Sequence, residues 1–344
     1  MSEKKVKVGG LLLGGDKIYI QSMLNVPASD IDGNVRQAVE LEKAGCEIIR
    51  TAVPSVADVK LIYALKEAVS IPVVADIHFD YKIAVECAHA GADKIRINPG
   101  NIGGEENVKA VADVCRAKNI PIRIGVNSGS VERELLAKYC GPTPEALTES
   151  AARHIELLGK YDFDDIVLSV KSSDVKLMID SYRAIHRLYP YPLHLGVTEA
   201  GTQRMGIIKS AVGIGSLLAD GIGDTIRVSL TADPISEVYA AKDILKAVGK
   251  GSGVEIVSCP TCGRTSIDLI SLAEKVENAT RDINKDIKIA VMGCAVNGPG
   301  EAREADVGIA GGKGEGIIFK KGQILRKVKE SELLDELLKE INEL

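Results

Sequence analysis

Four isoleucine–arginine pairs punctuate the chain, Ile49-Arg50, Ile95-Arg96, Ile122-Arg123 and Ile226-Arg227, each within or near the end of an apolar run. Strand alternation sends the Ile and Val of such a run to one side and the arginine to the other. A charge buried without a partner costs several kcal/mol, so each arginine needs an anion. A single arginine of this kind reads most simply as half of an ion pair with a carboxylate on a neighbouring strand. Four of them, joined by Lys171 at the end of another run, outnumber the obvious strand-end carboxylates, Asp76 and Glu199. The surplus belongs to a chain whose net charge is −5. Its natural occupant is a small ligand with several negative charges, and phosphate groups match it best.

Other polar residues fall at the same run ends. Asp76 and His78 are two apart and so share a side, as do Arg96 and Asn98, and Arg227 and Ser229. Asn127 follows one run, Ser169 and Lys171 end another, and Thr198 and Glu199 a third. Any one of these could be a solvated loop residue; together they make a ring of hydrogen-bonding groups. Of the histidines only His78 shares this placement. His89, His154 and His186 sit on helix-like stretches and read as surface or packing residues, and His194 is ambiguous.

The seven cysteines divide into two sets. Cys46, Cys87, Cys115 and Cys140 are far apart and read as small buried hydrophobes. Cys259 and Cys262 in SCPTCGR, and Cys294 in MGCAVNGPGEA, each follow a strand-like run, so three thiols can meet at one sheet edge. A four-cysteine zinc site would need a second CxxC, and a thioredoxin-like pair lacks its usual context. Three thiolates with a fourth position open suit a reactive 4Fe–4S cluster, with zinc as the alternative.

These residues need a scaffold, and the runs that carry them supply one. Strand-like stretches start at Lys17, Cys46, Ile71, Asp93, Ile120, Asp165, Leu193 and Asp224, at intervals of 29, 25, 22, 27, 45, 28 and 31 residues, with helical periodicity between. That is the arithmetic of a (β/α)₈ TIM barrel. The long interval needs an extra turn or helix, which PTPEALTESAARHIELLGKY provides. A doubly wound sheet is the alternative. GKGSGVE, Gly249 to Glu255, reads as a link and hinge into a smaller α+β unit of strand, helix, strand, two or three short strands and a final helix. The expected domains are 1–248 and 249–344.

Composition narrows the function. Apolar residues make up 45% and charged ones 26%, ordinary for a soluble globular chain. The acidic balance argues against a nucleic-acid binder. The absence of Trp, with three Phe and nine Tyr, argues against base-stacking platforms or a sugar cleft. No run approaches the ~20 apolar residues of a membrane helix, and Leu11-Leu12-Leu13 between glycine pairs is no signal peptide, so a cytoplasmic protein is expected. Gly213-Ile214-Gly215 lacks the rest of a dinucleotide fingerprint. AGGKGEG, Ala310 to Gly316, reads as a hairpin connection, with a phosphate cradle as the lesser reading.

QSM near the start, RINPGNIG (Arg96 to Gly103), GVNSGS (Gly125 to Ser130), LHLGVTEAG, GDTIRVSLTADP, SCPTCGR and MGCAVNGPGEA are long and unusual, and they run end to end. Through them the chain resembles the 4-hydroxy-3-methylbut-2-enyl diphosphate synthase family of the methylerythritol phosphate route to isoprenoids, in its compact bacterial two-domain form. The resemblance implies an iron–sulfur oxidoreductase that opens 2-C-methyl-D-erythritol 2,4-cyclodiphosphate reductively, with loss of water. It implies a 4Fe–4S cluster on Cys259, Cys262 and Cys294 with Glu301 as an oxygen ligand. It implies that Arg50, Arg96, Arg123, Lys171, Arg227 and Ser229 clamp the cyclic diphosphate, with Asn98 and Asn127 adding hydrogen bonds. Asp76, His78 and Glu199 would surround the carbon skeleton, and Glu199 would protonate the departing hydroxyl, a role that needs a raised pKa. It further implies a homodimer, in which one chain's cluster domain caps the other's barrel, and reduced flavodoxin or ferredoxin as electron donor.

Two other readings compete. A barrel synthase for a pterin-like or phosphorylated substrate, with a structural zinc in the tail, would be colourless and indifferent to air. A non-enzymatic electron carrier fused to a ligand-binding barrel would leave the polar ring without a purpose.

Overall fold

The computed structural model of the chain describes residues 2–98, 100–281, 283, 285–294 and 302–344. Two compact units emerge, Met1–Lys250 and Gly251–Leu344.

A short antiparallel hairpin, β1 (Val6–Val8) and β2 (Leu11–Leu13), opens the first unit. Eight parallel strands follow: β3 (Tyr19–Met23), β4 (Ile48–Ala52), β5 (Val73–Asp76), β6 (Lys94–Ile97), β7 (Ile122–Asn127), β8 (Ile166–Lys171), β9 (His194–Leu195) and β10 (Thr225–Ile226). They pair in the order β8-β7-β6-β5-β4-β3-β10-β9, and a parallel bridge from Leu168 to Leu193 joins the two ends. Each of the eight expected runs carries one of these strands. The result is a (β/α)₈ barrel. β9 and β10 are only two residues long, and Gly196 directly follows β9.

The alternation inside the strands sets the barrel's chemistry. In β6, Ile95 and Ile97 point outward into the core shared with the helices, beside Ala75, Ile122 and Ile124, while Lys94 and Arg96 point inward. The cross-strand register places Asp76 beside Arg96, Arg96 beside Arg123, and Asn127 beside Lys171, all on the inner side. Several of the helices start on side-chain caps. Thr143 accepts from Ala146 N ahead of Pro144, and Asp233 from Ile235 N ahead of Pro234. The long interval holds two helices, Arg133–Lys138 and Pro144–Gly159.

The hairpin plugs the bottom of the barrel. Val6, Val8 and Leu13 pack on the lowest inward residues, Tyr19, Ile48, Val74 and Val167. The Leu11-Leu12-Leu13 run is therefore structural.

The second unit is a five-stranded sheet, β11 (Glu255–Ser258), β12 (Lys288–Met292), β13 (Val307–Gly311), β14 (Glu315–Lys320) and β15 (Gln323–Lys329), in sequential order. The first three run parallel and the rest antiparallel. Helices Leu269–Thr280 and Leu333–Asn342 cover one face through Leu269, Val276, Leu333, Leu337 and Ile341. The stretch Ala310 to Gly316 joins β13 to β14 as a hairpin, as expected.

One reading needs correction. Cys140 is exposed, with φ +56°, in the turn after Arg133–Lys138, whereas Cys46, Cys87 and Cys115 are buried as expected. Of the two readings offered for His154, packing holds: it is buried and pairs with Glu132 at 3.2 Å. Among the described residues no helix is long and apolar enough to cross a membrane.

Leu13→Ala removes the largest plug residue, fully buried in the wild type. It should destabilise the barrel by about 2–4 kcal/mol, read as a lower urea midpoint at unchanged slope; a change under ~0.5 kcal/mol would deny the plug its role.

Candidate active site

Asp76 ends β5 as a completely buried carboxylate. Arg50 donates to its Oδ2 at 2.6 Å from β4, and Arg96 to its Oδ1 at 3.2 Å from β6. Burial alone would push the carboxyl up, but these two guanidinium groups more than offset it and hold Asp76 well below the usual carboxylate range. His78 Nε2 stands 3.9 Å from the same Oδ2, with its ring half-exposed at the rim. One carboxylate thus serves two arginines, one on each flank.

The other inward cations are less well served. Arg227 reaches Glu237 of helix Pro234–Ala247, Nε to Oε2 at 3.5 Å, and the Met23 sulfur at 3.5 Å. Glu237 also accepts from Leu230 N at 2.9 Å, which fixes the loop after β10. Lys171 Nζ lies 3.3 Å from His194 Nε2, and His194 Nδ1 lies 2.8 Å from Thr225 Oγ1. Burial, then Arg123 and Lys171, hold the imidazole neutral. Neutral His194 therefore donates from Nδ1 to Thr225 and accepts from Lys171 at Nε2. Arg123 is 1% exposed, and its Nε and Nη1 have no hydrogen-bond partner among the described residues. The same holds for Lys94 Nζ and for both amide atoms of Gln21.

Two glycines make room for this cluster. A Cβ at Gly125 would sit 2.5 Å from Arg96 Nε, and one at Gly196 would sit 2.8 Å from Lys171 Nζ and 2.6 Å from the Arg227 carbonyl. At these two crossings the chain passes a long cation with no side chain of its own.

The loops above are tied by the expected asparagines. Asn98 Oδ1 accepts from Gly100 N at 3.1 Å and its Nδ2 lies 3.5 Å from Ser130 Oγ. The Asn127 side chain caps the turn Ser128–Ser130, whose Ser130 Oγ accepts from Asn127 N at 3.3 Å. Ser169 turns back to the Ile124 carbonyl at 3.2 Å and so braces the wall. Ser229 is half-buried beyond Arg227, and Glu199 is exposed at the rim. Glu199 has φ +50°, a left-handed backbone unusual for its type.

The cysteines lie in the other unit, at adjacent parallel strand ends: Cys259 directly follows β11 and Cys294 follows β12. Gly293 N donates to Cys259 Sγ at 3.2 Å. Hydrogen bonds from Arg264 lower the pKa of the Cys262 thiol. Cys294 is buried and Cys262 exposed. Among the described residues no three His, Cys, Asp or Glu side chains are grouped to hold a metal ion; Glu301 lies outside the described residues. A backbone N–H aimed at one sulfur and a second thiol biased toward thiolate nevertheless fit a thiolate-bound centre.

Residues 3–242 match the GcpE TIM-barrel domain and residues 255–343 the GcpE protein C-terminal domain. The chain belongs to the GcpE family. It is 58% identical to "4-hydroxy-3-methylbut-2-en-1-yl diphosphate synthase (flavodoxin)" of Clostridium perfringens, over 98% of this chain and 97% of that one. The same identity holds for the protein of that name from Fusobacterium nucleatum, over 98% and 96%. Solved structures similar to it include dihydropteroate synthases of Yersinia pestis (TM-score 0.52, 17% identity, 73% of this chain and 100% of that) and Stenotrophomonas maltophilia (0.53, 14%, 71% and 98%). At such identity they share the barrel fold alone.

In this GcpE-family barrel, sequence reasoning passed over Lys94, Gln21 and Glu237. Lys94 was legible: Lys94, Arg96 and Asn98 alternate in KIRIN and so face one way. Gln21 alternates likewise with Tyr19 and Met23. Glu237 carried no such signal, because a helix-borne glutamate ordinarily faces solvent.

Replacing Asp76 by Asn leaves Arg50 and Arg96 buried without a counter-charge, and should cost about 3–5 kcal/mol in a denaturant titration. The sign with pH follows from its depressed folded pKa. Its contribution is complete above the unfolded value of ~3.9 and fades only as pH falls through the lower folded one. Wild-type stability that dropped through an Asp76 titration between about pH 5 and 7 would contradict this pairing.

Proposed function

We infer that this chain catalyses the reductive dehydration and ring opening of 2-C-methyl-D-erythritol 2,4-cyclodiphosphate to 4-hydroxy-3-methylbut-2-enyl diphosphate, in isoprenoid precursor synthesis. Near-full-length identity of 58% to synthases of that name supports the activity. The observation in the fold that carries it is the barrel's charge: Arg50, Arg96, Arg123, Lys171 and Arg227 face inward against the buried carboxylates Asp76 and Glu237. A dianionic cyclic diphosphate is the complement of that excess. A pterin-binding reading is not favoured, since only the shared barrel points to it.

The reaction takes up two electrons and a proton per dianionic substrate. The carbon–oxygen bond at C2 breaks, the C3 hydroxyl departs as water, a C2–C3 double bond forms, and the diphosphate stays on C4 with one more negative charge. In our reading Arg96, Arg123, Lys171, Arg227 and Ser229 hold the phosphates, with Arg50 positioned through Asp76. Asn98 and Asn127 shape the loops over them. His78 borders the carbon skeleton, and Glu199, exposed on a left-handed backbone, protonates the leaving hydroxyl. Cys259, Cys262 and Cys294, with Glu301, would hold a 4Fe–4S cluster. Such a cluster supplies electrons singly and an iron whose carboxylate ligand is replaceable. Reduced thiols suit the reducing cytoplasm.

Flavodoxin is the electron donor named for the relatives, and we propose it for this chain. We also propose a homodimer. Helix Gln203–Ala219 exposes Met205, Ile208 and Val212 on one face, an apolar stripe of the kind a second copy would cover.

Anaerobic turnover of the cyclic diphosphate by reconstituted protein, with a reduced viologen as electron source, tests the activity. Linear product should form, and should vanish with Cys294→Ser. Arg96→Ala should raise KM at least tenfold, and Glu199→Gln should lower kcat about 10²-fold or more with iron content intact. No product from protein with a full cluster would refute the substrate assignment, and loss of iron in Glu199→Gln would refute the proton-donor role.

A further inference from the structure

Beneath the clamp lies a base that the activity just proposed does not employ. Lys94 is the first residue of β6, one inward position below Arg96, and is entirely buried. Its Nζ has no hydrogen-bond partner among the described residues. The charged and titratable groups acting on it are Arg123 from β7, Arg50 from β4 and, across the barrel, His194 from β9. Asp76 of β5 is committed to Arg50 and Arg96, and Glu237 to Arg227, Ser22 and Leu230. A lysine so placed has desolvation and two cations against its charge and no carboxylate beside it.

We propose that Lys94 is a neutral amine in the empty barrel and takes up a proton from solution when the anionic substrate binds, so that substrate binding and protonation of the barrel floor are one event. Lys94 therefore acts as an electrostatic positioning residue. It is not a catalytic one.

Three considerations support it, beside the burial of Lys94 and the lack of a hydrogen-bond partner for its Nζ among the described residues. First, burial, then Arg123 and Arg50, hold the Lys94 ammonium well below the ordinary lysine range. Arg123 feels the same pressure, but a guanidinium keeps its proton where an ammonium gives one up. Second, each phosphorus of a cyclic diphosphate carries a single, strongly acidic ionisable oxygen. The ligand arrives as a dianion and brings no proton of its own to neutral solution. Two negative charges over Arg123 offset the positive field that opposes the ammonium, and the lysine is the group there whose charge can follow. Third, the product carries one more negative charge than the substrate, so a floor that has gained a positive charge favours the direction of the reaction. Lys171 is held down similarly, by burial and then Arg123, Arg227, Arg50 and Arg96. It differs in having His194 as an acceptor.

The proposal rests on the clamp assigned above, and titration calorimetry separates the two. Without a reductant the two-electron reaction cannot proceed, so the holoenzyme is titrated with the cyclic diphosphate under reductant-free conditions that isolate binding. Heats are measured at about pH 8, where an ordinary lysine is already charged, in buffers of different ionisation enthalpy. The slope of heat against buffer enthalpy counts the protons. Wild-type protein should take protons up, and Lys94→Met, which keeps the apolar stem, about one fewer. Because the bound state holds more protons, the wild-type Kd should also rise with pH, by up to tenfold per unit, at pH values below the ordinary lysine range. That series needs no variant. Binding with identical heats in every buffer and a flat Kd would overturn the proposal and leave the clamp standing. Uptake unchanged in Lys94→Met would overturn the assignment to Lys94. Absence of any binding to cluster-replete protein would overturn the clamp, and the proposal with it.

Discussion

The barrel depends on one carboxylate. Asp76, fully buried, is the common anion for Arg50 and Arg96, and it lets two guanidinium groups stand side by side in a low-dielectric interior. Remove it, and among the described residues the inward arginines pair with no carboxylate except Glu237, which is bound to Arg227. The arrangement is asymmetric by design of the register: β4, β5 and β6 bring an arginine, the aspartate and an arginine to neighbouring inner positions, while β7 and β8 bring Arg123 and Lys171 with no acid between them. The uncompensated half is where an anion gains most.

Such a site is a cost to the folded state that function justifies. The chain contains the cost in three ways. The apolar hairpin plug seals the floor against water. Gly125 and Gly196 open space for Arg96 and Lys171, so that both reach the inner space without distorting their strands. Neutral acceptors stand in for missing acids: the Gly125 carbonyl takes an Arg96 N–H at 3.4 Å, and His194, backed by Thr225, takes Lys171. The ring is thus held in place before any ligand arrives, which is what electrostatic preorganisation requires.

Much of this was written in local patterns. Period-two alternation in KIRIN and IRIGVN announced both the strands and which residues face inward, and eight runs at barrel spacing announced the fold. The placement of Cys259 and Cys294 after adjacent strands followed from strand–helix–strand order. What escaped was long-range partnership. Nothing local says that Glu237, on a helix, turns in to Arg227, or that His194 pairs with Lys171 rather than with a ligand. Asn98 and Asn127 were legible as polar residues at the mouth, but their part in tying loops depends on Gly100 and Ser130 arriving beside them. Cys140 misled for a different reason: cysteine's usual burial was applied to a turn whose left-handed backbone leaves the thiol outside.

The most direct test of the account is where the phosphates go. A crystal structure of the holoenzyme grown anaerobically with the cyclic diphosphate and no reductant would locate them. The account predicts both phosphorus atoms inside the barrel mouth, with phosphate oxygens within hydrogen-bond distance of Arg96, Arg123, Lys171 and Arg227 and with Asp76 still bridging Arg50 and Arg96. Phosphates seated elsewhere, with the inward arginines left facing one another, would contradict it.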